Sequence, residues 1–394
     1  MLALGDGLPN FRVDLGKLEA TAQLVIDTTH AAYPTLDVPF HSRWRHFDID
    51  GFDYWNEIDQ AMAWPSPAER SRTAMDLAII SVLLDAGAGP NWRFLYEVSG
   101  EYVSRSEGLA LASLVMFRNC EFSKWPSYPL RVDGSMLADF TEDKLIKGFQ
   151  VTAQNPLAGV SGRVALLRRL GETVLAKPEV FGIKDTPRPG GLFDHLAALA
   201  ENNRIAAPII LREVLTHLGP IWPSRLTLGG VALGDCWKHA SLKTDDATTG
   251  LVPLHKLSQW LSYSLIEPLQ WAGIEVTDID GLTGLAEYRN GGLFIDTGVL
   301  TLRDPSAAQR EHTVDSELVV EWRALTVALL DRLADGRRVD DGEHLLDVLA
   351  QQPEVQHLVA IMHGGEEQVL AQRIRLSTVL GVDASELVLD VNNL

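Results

Sequence analysis

Apolar residues recur at helical spacing along most of the chain, and the clearest case starts at Ser66. Ser66 suits an N-cap, Pro67 suits the first helical position, and Glu69 completes a capping box. A long apolar run follows, and Gly87 is expected to end the helix. This stretch therefore predicts a long, buried helix that begins at Pro67.

The same spacing predicts helices in most of the remaining chain. They are expected at residues 106–118, 161–176, 206–218, 254–272 with an interruption or kink at Pro268, 316–334, 344–351 and 366–380. Strand signals are sparse: residues 292–302 contain β-branched residues around Asp-Thr-Gly and predict a short hairpin, and 96–103 is a weaker candidate. The pattern predicts a mostly α fold with a few short strands.

The composition is that of a globular protein and changes sharply nowhere: 46% of the 394 residues are hydrophobic and 22% are charged. No stretch resembles a long flexible linker. We therefore expect one continuous structural unit, in which an N-terminal helical lobe at residues 1–150 packs intimately against a second lobe at residues 151–394. The second lobe would carry the carboxylate motifs described below.

The charge balance excludes some classes of partner. The chain has 34 Lys and Arg against 53 Asp and Glu, a net charge of −19, whereas nucleic acids and anionic membranes need a basic surface. The apolar runs at 77–84 and 109–117 are far shorter than the roughly 18 residues of a membrane span. Two cysteines far apart in sequence favour a reducing compartment. We expect a cytoplasmic protein with a small-molecule partner.

The common motifs of cofactor and metal chemistry are missing. The sequence has no phosphate-binding GxGxxG or GxxxxGK[ST], no HExxH and no GxSxG. The turns at 48–51 and 278–281 lack the spacing and the closing Glu of a calcium loop. His41 and His46 are five residues apart, which is not the spacing of a metal pair on one helical face. No metal and no cofactor are predicted.

Two polar segments in the first half of the chain are candidate binding elements. Residues 41–47, with Arg43 and His46, combine cations and aromatic rings that can hold a phosphate and stack on a planar group. The alternative is an Arg-rich surface loop with a packed Trp. Arg105 and Glu107 open an apolar helix and are a second candidate, for which the alternative is an ordinary helix start.

Two carboxylate segments in the second half carry the strongest chemical signal. Asp235 lies between an apolar run and Trp237, and Lys238 and His239 follow. Burial there would raise the pKa of Asp235 or require a partner for its charge. The alternative is an Asp that caps a helix. In the other segment, glycine-rich turns flank a carboxylate, a phenol and a guanidinium, and glycines allow a ligand to approach the backbone closely. The alternative is that these residues form a solvated helix end. These three are Glu287, Tyr288 and Arg289.

A pair of carboxylates suits glycoside cleavage. One carboxylate orients and activates water, and the other, with nearby cations, stabilises the oxocarbenium-like transition state or the leaving group. We expect Asp235 and Glu287 to line one site with their carboxyl groups within about 10 Å of each other. We also expect at least one cation from a set of six to reach it: Arg43, Arg45, Arg105, Lys238, His239 and Arg289.

The chain resembles the fungal and bacterial uracil-catabolism family from about residue 20 to residue 390. The resemblance rests on long strings, among them HSRWRHF, WPSPAERSRTAMDLAIISVLLDAGAG, RSEGLALASL, DTPRPGGLFD, LGDCWKH, HKLSQWLSYSLIEPL, GLTGLAEYRNGGLFIDTGVL and VVEWRALTVALLD. The family implies a route of uracil breakdown that releases urea, with a ribosylated urea as an intermediate. A protein that cleaves the bond between ribose and urea would fit that route.

The order LGDCW and then LTGLAEYR is also similar to the two carboxylate motifs of queuosine 5′-phosphate N-glycosidases. Asp235 and Trp237 fall on the first motif, and Glu287, Tyr288 and Arg289 fall on the second. The chain departs at Glu287, where those glycosidases have Asp, and the extra methylene shifts the carboxylate by about 1 Å. This resemblance covers roughly residues 160–305 and implies a helical fold like that of helix-hairpin-helix DNA glycosylases.

The function expected from these resemblances is hydrolysis of an N-glycosidic bond in a small ribosylated ureido or pyrimidine compound with a 5′-phosphate. Asp235 and Glu287 would be the catalytic carboxylates. Nine residues would bind the substrate: Trp237, Lys238, His239, Tyr288, Arg289, Arg43, His46, Arg105 and Glu107. Two alternatives stay open at this point. One is a non-catalytic protein of the same pathway that senses a nucleotide, and the other is a ribosyl transferase. The sequence gives no indication of the oligomeric state.

Overall fold

A computed structural model describes residues 1–335, apart from 37, 39–40, 86, 126–129, 183–185 and 311. The helices predicted at 344–351 and 366–380 lie outside the described residues. The described part consists mainly of α-helices, and its strands are short and lie in two-stranded pairs. The predicted fold class, mostly α with a few short strands, is confirmed. The closer likeness to helix-hairpin-helix glycosylases stays a prediction.

The helices are given in chain order as α1 Leu18–Ala32, α2 Tyr54–Ala61, α3 Pro67–Leu84, α4 Arg105–Arg118, α5 Gly134–Ala138, α6 Glu142–Gly148, α7 Val160–Ala176, α8 Pro178–Phe181, α9 Leu192–Leu199, α10 Ala207–Leu218, α11 Lys256–Trp271, α12 Tyr288–Asp296 and α13 Glu317–Asp335. Short 3-10 helices lie between some of them, including Arg43–Phe47.

The strands are β1 Phe11–Val13, β2 Asp48–Ile49, β3 Phe52–Asp53, β4 Phe94–Tyr96, β5 Glu101–Val103, β6 Arg204–Ala206, β7 Thr227–Leu228, β8 Val231–Ala232, β9 Cys236–Lys238, β10 Leu251–Pro253, β11 Glu275–Thr277 and β12 Leu300–Leu302. All described pairs are antiparallel except β6 with β11. The weak strand candidate at 96–103 corresponds to the hairpin of β4 and β5.

Helix α3 begins as its capping signals predict. The Ser66 Oγ accepts a hydrogen bond from the Glu69 backbone N–H at 3.2 Å, and Pro67 is the first helical residue. The helix ends at Leu84, three residues before the expected stop at Gly87. Its apolar second half, 77–84, is buried throughout, so α3 is a central helix of the core.

The hairpin predicted at 292–302 is wrong. Residues Tyr288–Asp296 form α12, and only Leu300–Leu302 form a strand. That strand pairs with β1, Phe11–Val13, near the start of the chain. Leu293 and Phe294 are buried on α12, so burial of an apolar helical face outweighs the β-branched residues of this segment.

The described residues divide into two compact units that interleave along the chain. The first unit comprises 1–41, 224–256 and 283–335, and the second comprises 42–223 and 257–282. The predicted division into lobes at residue 150 stays a prediction. In the described ranges, no helix combines the length and hydrophobicity that a bilayer crossing requires.

Candidate active site

Asp235 lies at one end of a pair of short strands in the first unit and is hydrogen-bonded to the residues that follow the partner strand. It comes directly before β9, which pairs with β10 in antiparallel register. The backbone N–H groups of Leu254 and His255 both donate to the Asp235 carbonyl oxygen at 3.0 Å. The Lys256 backbone N–H donates to Asp235 Oδ2 at 2.9 Å. The chain that leaves β10 is therefore fastened to both the backbone and the side chain of Asp235.

The Asp235 carboxylate also receives a bidentate hydrogen-bonded ion pair from α13. Arg323 Nη1 and Nη2 donate to Oδ1 and Oδ2, each at 2.9 Å, and Trp237 Nε1 donates to Oδ1 at 2.5 Å. With the Lys256 backbone bond, two donors serve each carboxylate oxygen. The Arg323 side chain is 2% exposed and that of Asp235 is 28% exposed, so a buried cation points at a carboxylate that solvent still reaches.

Glu287 lies at the N-cap position of α12 and forms an ion pair with the Lys256 Nζ. Lys256 thus contacts Asp235 through its backbone and Glu287 through its side chain. The two carboxylates, 52 residues apart in sequence, converge on one lysine. Their side chains are partly exposed, which leaves them accessible to a small molecule.

Electrostatics keeps both carboxylates ionised. Burial on its own would raise the pKa of Asp235, but the charge and hydrogen bonds of Arg323 outweigh burial and hold that pKa well below its usual range. Burial opposes ionisation of Glu287 too, yet Lys256 and Arg289 lower its pKa to about 2. The site therefore presents two ionised carboxylates, Asp235 paired with Arg323 and Glu287 paired with Lys256.

Three buried polar atoms on α12 and α13 have no hydrogen-bond partner among the described residues. Within the described part of the chain, Tyr288 Oη, Asn290 Oδ1 and Trp322 Nε1 make no hydrogen bond. The Tyr288 ring packs against Trp322 with centroids 5.2 Å apart. Burial raises the pKa of Tyr288, so its hydroxyl keeps its proton and is a donor. A buried polar atom without a partner is costly, so these three atoms carry a cost that a bound water would relieve.

An apolar cluster supports the site from beneath. Val252 of β10, Ala286 and Val320 of α13 are buried against one another, and Trp237 packs on them partly exposed. The Arg323 Nε also donates to the Ala286 carbonyl oxygen at 3.3 Å. The segments that carry Asp235, Glu287 and Arg323 are thus packed together as one piece of the first unit.

Arg289 and Lys238 are the two exposed cations of these segments, and they differ in whether they act at the carboxylates. Arg289 is exposed and acts on Glu287 through its charge. Lys238 is exposed at the end of β9, where side chains alternate, so it faces away from the partly buried Trp237. Arg289 is therefore one member of the expected cation set that acts at the carboxylates.

His239 belongs to a separate buried network. The Ser241 backbone N–H donates to its Nδ1 at 3.2 Å, so the hydrogen is on Nε2, which donates to Glu321 at 3.1 Å. Glu321 also accepts hydrogen bonds from the backbone of Asn10 and Phe11. Both nitrogens of His239 are occupied by these contacts, which join three stretches of the first unit.

The predicted binding residues of the first half lie in the second unit. Arg43 is fully buried, and its Nε and Nη1 donate to Ser81 Oγ at 2.6 Å and to Asp85 at 2.9 Å. His46 is 3.5 Å from Arg43 Nη1 and packs edge-on against Trp260. Burial lowers the pKa of Arg43, which Asp85 and then Glu107 counteract.

Arg105 is exposed and begins α4 at φ 57°. Within segment 41–47, Arg43–Phe47 form a 3-10 helix with a buried face, so the segment is more deeply packed than a surface loop. Substrate binding by these residues stays a prediction.

Sequence reasoning missed Lys256 and Arg323. A signal for Arg323 does exist: it and Glu321 flank Trp322 in an otherwise apolar helical segment, and a charge on a buried helix requires a partner. No comparable signal marks Lys256, whose role comes from the turn that follows β10.

The chain matches a family model and is similar in sequence to named proteins of two organisms. A family model described as "Protein of unknown function (DUF1688)" matches residues 1–351. "Protein urg3" of Schizosaccharomyces pombe is 39% identical over 339 residues, which cover 84% of this chain and 80% of that protein. "Uracil catabolism protein 4" of Lachancea kluyveri is 36% identical over 360 residues, which cover 83% of this chain and 82% of that protein.

Proposed function

The chain belongs to the DUF1688 family, and from this premise we propose that it is an enzyme of uracil catabolism that hydrolyses an N-glycosidic bond. Its substrate would be a small ribosylated, 5′-phosphorylated ureido or pyrimidine compound, with ribosylurea 5′-phosphate as the leading candidate. The name of the Lachancea kluyveri relative supports the pathway. The convergence of Asp235 and Glu287 on Lys256 supports the reaction and is the observation on which the proposal depends.

The two carboxylates differ in how much acceptor capacity they retain. Asp235 already accepts four hydrogen bonds, two on each oxygen. Glu287 is paired with the Lys256 Nζ, and the carboxylate has about four lone-pair sites. We therefore assign Glu287 to hold the attacking water. Asp235 is assigned to hold Arg323 and Lys256 in position and to supply negative charge beneath the site.

The reaction balances with these groups and water alone. The bond between ribose C1′ and nitrogen breaks, its electron pair leaves with the nitrogen, and the water oxygen bonds to C1′. One water hydrogen stays in the new hydroxyl, and the other leaves as a proton by way of Glu287. The Lys256 ammonium, in contact with Glu287, is assigned to protonate the leaving group and then to regain a proton.

The low pKa of Glu287 fits this order of events. A carboxylate with a pKa of about 2 is a weak base, so it removes little proton density from water before the bond to nitrogen breaks. An oxocarbenium-like centre reacts readily with water that is only oriented, and two ionised carboxylates stabilise its charge. Arg289 is then free to hold the phosphate, because its side chain is exposed.

The test is a comparison of three substrates with the purified full chain. We expect urea and ribose 5-phosphate in equal amounts from ribosylurea 5′-phosphate, slower release from ribosylurea, and less uracil from UMP. Saturable binding of all three without products would favour the nucleotide-sensing alternative. Ribose appearing on an added alcohol rather than on water would favour the transferase. Either outcome contradicts the proposed hydrolysis.

A further inference from the structure

Two helices of the second unit bring two imidazoles and a carboxylate together. Glu213 and His217 are one turn apart on α10 and share a face, and His195 is on α9. His195 Nε2 lies 2.8 Å from Glu213 Oε2, and His217 Nε2 lies 3.2 Å from the same oxygen. The three ligand atoms all lie within 4.8 Å of one another.

This spacing suits a transition-metal ion. Ligand atoms bound to tetrahedral zinc at about 2.0–2.2 Å are about 3.4 Å apart. The His217 Nε2–Glu213 Oε2 distance of 3.2 Å lies close to that value, and the His195 Nε2–Glu213 Oε2 distance of 2.8 Å would lengthen when an ion binds. The other oxygen, Glu213 Oε1, accepts from Arg212 Nε at 2.8 Å, which fixes the carboxylate so that Oε2 faces the two rings. The side chains of His195, Glu213 and His217 are 24%, 10% and 16% exposed, so an ion and a fourth, water ligand can enter.

The second ring nitrogen of His217 is consistent with metal binding. When a metal binds Nε2, the ring hydrogen resides on Nδ1. His217 Nδ1 is buried and makes no hydrogen bond within the described ranges, so no donor holds it in the opposite state.

The nearby cations have acceptors of their own. Lys177 Nζ donates to the carbonyl oxygens of Thr216 and His217, each at 3.2 Å, and Arg212 is 62% exposed. Each nearby cation is therefore held by an acceptor other than the ring nitrogens of the cluster.

We propose that His195, Glu213 and His217 bind one divalent transition-metal ion, with Zn²⁺ favoured by the two-imidazole, one-carboxylate ligand set. The ion joins α9 to α10, and a water completes its coordination. This site is built from residues of the second unit alone and is independent of the proposed hydrolysis.

The test is Zn²⁺ binding to the full chain after removal of metals with a chelator. In competition with a chromophoric chelator, we expect one tight equivalent of Zn²⁺ per chain. His195→Ala, His217→Ala and Glu213→Gln are each expected to weaken it at least tenfold. His30→Ala, at an exposed histidine in the first unit, is the matched control and is expected to leave the affinity unchanged.

Thermal unfolding supplies a second readout. Zn²⁺ is expected to raise the Tm of the wild type and of His30→Ala by equal amounts and to raise the Tm of Glu213→Gln less, because stabilisation by a bound ion falls as its affinity falls. Glu213→Gln keeps the shape of the side chain, so this comparison holds even if a histidine variant fails to fold. Absence of a tight equivalent in the wild type, or equal affinity in Glu213→Gln, would overturn the proposal.

Discussion

Buried charge governs the single side chains of the candidate site. Arg323 is 2% exposed, and Asp235 neutralises it through two hydrogen bonds. Removing one partner of such a pair costs about 3–5 kcal/mol, because the remaining charge stays buried, whereas replacing both costs much less. Asp235 therefore contributes to stability as well as to the proposed chemistry, and the two contributions need separate measurements.

Asp235→Asn is expected to lower the free energy of unfolding by about 3 kcal/mol and turnover by at least about 10²-fold. The double change Asp235→Asn with Arg323→Met removes the stranded charge. We expect it to recover most of the stability and none of the turnover. Urea denaturation and steady-state kinetics on the same preparations measure both effects.

The double variant separates a structural role from a chemical one. Recovery of both stability and turnover would mean that Asp235 only compensates Arg323, and the assignment of Asp235 to the reaction would be wrong. Wild-type turnover in Asp235→Asn itself would lead to the same conclusion.

Glu287 gives a prediction in the dependence of stability on pH. Its pKa is about 2 in the folded chain and close to 4.3 in an unfolded one. The lowered pKa stabilises the fold above pH 4.3, and this stabilisation is lost as the pH falls towards 2. Glu287→Gln is expected to destabilise the chain at pH 6 and to differ progressively less from the wild type between pH 4.3 and 2. The measurement is urea denaturation of both proteins across this pH range. A difference in the free energy of unfolding that does not change with pH would contradict the ion pair with Lys256.

The sequence indicated which carboxylates to examine but not what holds them. Asp235 and Glu287 stand out because each interrupts an apolar or glycine-rich stretch. Lys256 has no such mark, because its two contacts depend on the path of the backbone after β10 and on Glu287, which is 31 positions further along the chain. Pairing between charges distant in sequence is a tertiary property, and local pattern does not encode it.

At the scale of elements, the close packing of α7 against α5 depends on Gly171. On α7, a Cβ at Gly171 would collide with the backbone nitrogen of Ala138 and come within 2.6 Å of the Gly134 carbonyl oxygen, both on α5. Gly171→Ala is expected to lower the free energy of unfolding by more than about 2 kcal/mol, because backbone atoms cannot move aside. Gly219→Ala is the control, since nothing lies within 4 Å of its Cβ and its φ is −47°. Equal stability of both variants in urea denaturation would contradict this packing.

The elements were predictable where local signals agree with burial. Helix α3 has a cap, a first-turn proline and an apolar run, and it begins where expected. The helix predicted at 254–272 runs from Lys256 to Trp271 with Pro268 inside it. The 292–302 segment failed because the partner of Leu300–Leu302 is β1, almost 290 residues earlier in the chain, and short-range pattern contains no information about such a partner.

The whole molecule is assembled from stretches that are distant in sequence. The first unit draws on three of them, and the candidate site uses the second and third. Glu321 joins all three, because it accepts hydrogen bonds from Asn10, Phe11 and His239. No composition shift or linker marks these boundaries, so a sequence pattern could not reveal an interleaved arrangement.

Glu321→Ala is expected to lower the free energy of unfolding by at least about 3 kcal/mol, because several buried donors lose their acceptor at once. Glu317→Ala, on the same helix, removes an exposed carboxylate that accepts one hydrogen bond from Ala240, and it is expected to cost less than about 1 kcal/mol. Urea denaturation of both variants measures the difference. Similar losses would show that Glu321 does not join the three stretches in the folded chain.

Hydrolysis of a ribosylated urea, with Glu287 holding the attacking water, is the activity that we propose for this chain. The most direct test is the rate of urea release from ribosylurea 5′-phosphate by the wild type and by Glu287→Gln, measured at pH 7 with ribose 5-phosphate quantified in the same samples. We predict equal amounts of the two products from the wild type and a rate at least about 10²-fold lower for Glu287→Gln. No urea from the wild type, or equal rates for the two proteins, would contradict this proposal.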